Sequence, residues 1–136
     1  MQLYDKDLLS MQEVRELVEA AKEAQQELAN MTQSQVDHIV RAIADAGVRN
    51  ARRLAEMANE DTGFGKVEDK IIKNIFGSRG VYEYIKDMKT VGELERDDVK
   101  KVRTIAVPMG VVAGLIPSTK PTSTTLYKAE NAIKAG

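Results

Sequence analysis

The chain has 136 residues, 43% of them apolar and 30% charged, with 20 basic side chains against 21 acidic ones. That is one domain's worth of chain, and its near-neutral balance gives no electrostatic case for nucleic acid or a membrane surface as a partner. It contains no cysteine, which excludes disulfides, thiolate metal sites and thiol nucleophiles within these residues.

Residues Met1 to Asp7 lack the basic start and apolar core of a signal peptide. No apolar run approaches the roughly 18 residues of a membrane-spanning helix. The expectation is a cytoplasmic protein. Ser10-Met11-Gln12-Glu13 has the form of a capping box, with Ser10 as N-cap. Val14, Leu17, Val18, Ala21 and Leu28 recur behind it at helical spacing, which predicts an amphipathic helix to about Asn30. A second helix starts at Thr32 or Ser34, with Asp37 in its first turn. Val36, Ile39, Val40, Ile43, Ala51, Leu54, Ala55 and Ala58 trace its inner face. Gly47 interrupts it at about 1 kcal/mol relative to alanine, which marks a kink or a close approach, and Gly63 ends it.

A third helix is predicted from Val67 or Glu68 to about Lys89, with Ile71, Ile72, Ile75, Val81, Ile85 and Met88 inward and weakened by Gly77 and Gly80. From Val91 to Val107 the period shortens and β-branched residues appear. Two strands, about 91–95 and 99–107, are joined at Arg96-Asp97-Asp98. Val111 to Ile116 is a short apolar run bounded by glycine and proline, the pattern of a strand buried on both faces. Pro117 ends it, and Ser, Thr and Pro then crowd before a helix from about Thr122 to Ala135. Thr119 or Lys120 precedes Pro121 at the first helical position. Leu126, Ala129 and Ile133 share one face, and Glu130 and Asn131 are unusually polar for a helix packed on a parallel sheet. The turn presents hydroxyls and backbone N–H groups at a strand's carboxyl end, where open α/β sheets bind ligands.

His38 is the only histidine and by itself makes neither a metal site nor a triad. Glu68-Asp69 and Asp97-Asp98 are adjacent carboxylates, read as a helix start and a turn. Gly63-Phe64-Gly65 is too short for a dinucleotide loop. No metal site is expected. The chain divides into a helical segment at 1–90, a hairpin at 91–109 and a strand–turn–helix unit at 110–136.

The run from Gly110 to Gly114, then Ile116-Pro117-Ser118-Thr119, Pro121-Thr122-Ser123-Thr124 and Lys128, resembles the start of the cofactor-binding domain of the CoA-acylating branch of the aldehyde dehydrogenases. Glu60-Asp61-Thr62-Gly63-Phe64-Gly65-Lys66-Val67-Glu68-Asp69-Lys70 and Lys86 to Gly92 resemble earlier stretches of that branch, so the resemblance covers nearly the whole chain. It implies a mainly α fold with a β-hairpin and one strand–helix unit, the N-terminal fragment of the α/β aldehyde dehydrogenase fold. It further implies NAD as cofactor, CoA as co-substrate, and Ile116, Pro117, Ser118 and Thr119 as cofactor-binding positions. Thr119 stands where the wider family keeps an oxyanion-stabilising asparagine. Lys120 stands where the acylating branch has its asparagine, and either supplies positive charge there or points to solvent. Lys128 matches a lysine lining the catalytic tunnel. These three are the catalytic-site positions that the resemblance carries over. The family's catalytic cysteine, its general-base glutamate and its ribose-binding lysine have no counterpart before Gly136.

The resemblance implies the reaction of an aldehyde, CoA and NAD to acyl-CoA and NADH, with no turnover from these residues alone. It also implies subunit association through the hairpin, giving a homo-oligomer or a pairing with a full-length paralogue, and some relatives lie within bacterial microcompartments. The alternative is a helical interaction module that docks through Leu8, Leu9, Met11 and Val14. Neither a nucleic acid nor a membrane is expected as partner.

Overall fold

The first helix, α1 (Lys6–Ala29), is started by Asp5, whose carboxylate accepts the amides of Asp7 and Leu8 at 2.9 and 3.2 Å. The computed structural model describes residues 5–136, so the opening of the predicted helical segment and most of the stretch from Met1 to Asp7 lie outside the described residues. Ser10, expected as the cap, lies a turn inside α1, because Asp5 satisfies the free amides first. No α1 residue is buried, and Val14, Leu17 and Val18, expected to face inward, are exposed.

Thr32 and Gln35 form a reciprocal capping box at the start of α2 (Gln33–Arg49), with bonds of 3.3 Å and 2.9 Å. The predicted second helix is in fact two. It breaks at Asn50, whose side-chain amide donates back to Ala46 O at 2.8 Å, and resumes as α3 (Ala51–Thr62), capped by left-handed Gly63. Gly47 does not kink the chain; it permits close approach. A Cβ there would lie 2.7 Å from Ser78 Cβ and 3.0 Å from Leu126 Cδ2.

The third predicted helix is also divided. α4 (Val67–Ile75) passes into one π-helical turn, Phe76–Gly80, and then α5 (Val81–Ile85). A π turn inserts a residue into the helical ladder. Here it brings Gly77 so close to the last helix that a Cβ would sit 2.9 Å from Ser123 O. The inward face differs from the expected one. Ile72 is 67% exposed and Ile75 and Met88 are also exposed, whereas Lys70, Asn74, Gly77 and Ser78 are buried.

Strands β1 (Glu93–Asp97) and β2 (Val102–Ile105) pair antiparallel, with Asp97 opposite Val102 and Glu93 opposite Ile105. The turn lies later than predicted, because Asp97 Oδ1 accepts the amides of Val99 and Lys100 at 3.0 and 2.9 Å and Lys101 takes a left-handed φ of 56°. Those amide bonds, Lys100 first, hold the Asp97 carboxyl below its ordinary range. All four β2 residues are exposed. The hairpin stands off the helical body.

Val111 to Ile116 is extended but forms no ladder. A strand needs a neighbour for its amides and carbonyls, and among the described residues the hairpin is the only sheet. The segment instead runs beside α6 (Pro121–Ala135), anchored where the amides of Met109 and Gly110 donate to Ala135 O and Gly136 O, both at 3.1 Å. Pro121 opens α6 as expected. The architecture is thus mainly α with one hairpin. Its apolar core is Val36, Val40 and Ile85, with Leu28, Met31, Val81, Tyr82, Val91 and Ile133 packed around them. No described helix is long and apolar enough to cross a membrane.

Candidate functional site

The residues singled out by their pattern converge on the turn between the extended segment and α6. Pro117, Ser118, Thr119 and Lys120 are all exposed, and Lys120 N donates to Pro117 O at 3.3 Å, closing a four-residue turn. Lys120 occupies the N-cap position of α6 with φ −149° and ψ 60° and gives the helix no side-chain cap. Pro121 has no N–H and Thr124 N donates to Lys120 O at 3.3 Å, so the amides left uncapped at this helix end are those of Thr122 and Ser123, beside the turn. Ile116 leads into it, partly exposed.

Two elements hold this turn and the segment that leads into it. From α6, Lys128 Nζ donates to Leu115 O at 2.8 Å, which ties the extended segment back to the helix. From α4, Lys70 Nζ donates to Thr119 O at 3.2 Å, although Lys70 is only 5% exposed. One helical turn along, Asn74 donates to Ala51 O at 3.0 Å and accepts from Thr122 Oγ1 at 2.7 Å. Asn74 thereby joins α3, α4 and the first turn of α6.

Thr119, Lys120 and Ser118 thus lie together, with Lys128 holding the segment just before them. Lys70 and Thr122 stood in the sequence only as members of the stretches that carry the resemblance, and neither they nor Asn74 was given a role, because α4's inner face was assigned to isoleucine. The available signal was a stripe at helical spacing, Lys70, Asn74 and Ser78, running into small residues.

A groove of about 500 Å³ lies along the extended segment and α6, lined by Met109, Val112, Ile116, Thr125, Lys128 and Ala132. A second, of about 400 Å³, opens on the other face of that segment against α1 and α2. Both faces of the unpaired stretch are therefore apolar and only partly covered. Deeper along α6, Glu130 is fully buried with both carboxylate oxygens unpartnered, and burial raises its pKa from the ordinary 4.5 to about 7. Lys134, one turn further, is buried as well and pairs with Asp37 of α2 while donating to Lys86 O at 3.1 Å. Among the described residues there is no cluster of side chains able to hold a metal ion.

A sequence model of the aldehyde dehydrogenase family matches residues 3–136. The chain is 47% identical over 122 residues to the bifunctional aldehyde-alcohol dehydrogenase of Escherichia coli, an alignment covering 90% of this chain and 14% of that protein. It superposes on a solved acetylating aldehyde dehydrogenase from Geobacillus thermoglucosidasius with a TM-score of 0.95 and 56% identity, over 98% of this chain and 29% of the other. A probable aldehyde dehydrogenase from Listeria monocytogenes gives a TM-score of 0.94 at 62% identity, over 96% and 29%. The chain therefore spans less than a third of each protein it resembles.

Proposed function

The chain belongs to the aldehyde dehydrogenase family, and from that membership we propose that it is the N-terminal part of an NAD-dependent, CoA-acylating aldehyde dehydrogenase of the cytoplasm. The observation that carries this reading is the exposed turn Pro117–Lys120 set against an uncapped helix N-terminus, together with likeness to relatives described as acetylating. Open amides at a helix N-terminus and adjacent hydroxyls suit the carbonyl, hydroxyl and anionic groups of a dinucleotide. Ser118 and Thr119 would hold the cofactor through those hydroxyls and the backbone around Ile116 and Pro117. When bound, NAD supplies the hydride acceptor.

The remaining roles belong to this chain's own groups. Thr119 and Lys120 stand beside the helix N-terminus, where positive potential stabilises a developing oxyanion. Lys120 brings a full charge in place of a neutral amide. Lys128 keeps its ammonium on Leu115 O, which fixes the end of the segment that presents the turn. The thiolate that would attack the aldehyde and later release the acyl group to CoA is not among these residues, since they include no cysteine. The 136 residues alone should show no turnover.

The bare hairpin supports a second element of the reading. With β2 exposed along its length and Val102 and Ile105 at the surface, the hairpin is a surface through which a second copy or a longer relative would pair.

Titrating NAD into the purified chain by calorimetry, with the mass measured by light scattering on the same sample, tests both parts. Saturable binding at millimolar concentration or tighter, lost in the Ser118→Ala/Thr119→Ala double variant, is expected. A chain that does not bind NAD but sediments as a stable dimer would replace the cofactor reading with one of association alone.

A further inference from the structure

The inward face of α4 presents an unusual choice of residues. A nine-residue helix carrying Val67, Ile71, Ile72 and Ile75 buries none of them; the two residues it buries are Lys70 and Asn74. Burying an ammonium is expensive unless something in the fold uses its charge. Among the described residues Lys70 belongs to no ion pair. Its hydrogen bond goes to a neutral acceptor, Thr119 O, in the middle of the Pro117–Lys120 turn.

We propose that Lys70 is the positioning residue of the cofactor turn, with Asn74 as its second anchor. This rests on the cofactor reading above and adds to it the group that shapes the site. The peptide joining Thr119 to Lys120 is held at both ends: its carbonyl by the Lys70 ammonium, its N–H by Pro117 O at 3.3 Å. A cation on the carbonyl polarises that peptide and strengthens the N–H bond that closes the turn. Asn74 holds the following residue but one through Thr122 Oγ1 at 2.7 Å, a second anchor just past Pro121. Because no carboxylate neutralises Lys70, its charge also remains available to the anionic face of a ligand on the turn. A glutamine could make the same hydrogen bond without the desolvation penalty, but it would lack the field.

The test uses the whole 136-residue chain with Lys70→Met and Lys70→Arg, and with Lys73→Met as a control for removing an exposed charge from the same helix. The backbone signals are the carbonyl ¹³C shift of Thr119 and the amide exchange rates of Lys120 and Thr124. In Lys70→Met the Thr119 carbonyl should move, and exchange at these amides should quicken about tenfold, as for loss of a charge-assisted bond. Amides of Val40 and Ala44 in α2 should keep their rates. Lys70→Arg should restore both signals, and Lys73→Met should leave them alone. Quickened exchange spread evenly over the chain, or an unmoved Thr119 carbonyl, overturns the proposal. A parallel NAD titration separates it from the reading it rests on. If the native chain binds NAD, Lys70→Met should weaken binding at least about tenfold, with arginine rescuing it; equal affinity overturns the proposal. If the native chain does not bind NAD, the cofactor reading fails, and the positioning claim is decided by the backbone signals.

Discussion

At the scale of single residues, Glu130 carries the clearest consequence. Its carboxyl is buried without a partner, and desolvation raises its pKa to about 7. Below pH 4.5 the group is neutral in both the folded and unfolded chain and contributes its full stability. Between 4.5 and 7 the unfolded chain releases a proton that the folded chain keeps, so stability falls as pH rises. Above 7 the loss is complete and amounts to about 3 kcal/mol. Glu130→Gln should therefore unfold in urea at nearly the native midpoint at pH 4 and at a clearly higher one at pH 8. Coincident midpoints at pH 8 would mean that the carboxylate finds a partner when ionised. The polarity of Glu130 was visible in the sequence as a misfit for a sheet-packed helix, but its burial was not. Burial depends on α2 and the π turn meeting α6 from residues far away in the chain.

At the scale of elements, boundaries marked by a local chemical signal were the easiest to read. Thr32 with Gln35, Pro121 and Gly63 mark their boundaries by local chemistry, and each stands at its end of a helix. Gly47, Gly77 and Gly80 marked weak points in the pattern, but the break at Asn50 and the π turn at Phe76–Gly80 were not legible as such, because hydrophobic period alone runs smoothly across both. What decides them is a close approach. Gly47 faces Ser78, and Gly77 faces Ser123, at separations that leave no room for a methyl group. This seam joins α2, the π turn and α6 and so sets the base on which the cofactor turn rests. Gly77→Ala must displace the backbone of α6 and should destabilise by about 1–3 kcal/mol. Gly63→Ala, where a Cβ has open space but the φ is 67°, should lose about 1 kcal/mol from backbone strain. Chemical denaturation of both variants measures the difference, and equal losses would mean that the seam can yield. The same reasoning explains the missed inner face of α4. Isoleucine was expected there by hydrophobicity, but that face meets polar groups, Thr119 O, Ala51 O and Thr122 Oγ1, which Lys70 and Asn74 satisfy and an isoleucine could not.

At the scale of the whole molecule, the mainly helical content and the hairpin were anticipated, whereas Val111 to Ile116, expected as a strand buried on both faces, forms no ladder and is exposed. An apolar stretch from Val111 to Ile116 with bare edges and a groove on each face, a free hairpin and an α1 without a buried residue share a cause. The helical body encloses its own core and leaves the surrounding elements uncovered. The interior of that body is built largely from methyl-sized and absent side chains: Ala44, Ala51, Ala55, Ala58 and the glycines of the seam. Little hydrocarbon therefore leaves water when the chain folds. The heat capacity of unfolding, governed by newly wetted apolar surface, should fall below the 1.6–2.0 kcal/mol/K usual for a chain of about this length, as scanning calorimetry would show. A chain so constituted has a broad, shallow stability curve, losing little on cooling and melting without a sharp endotherm.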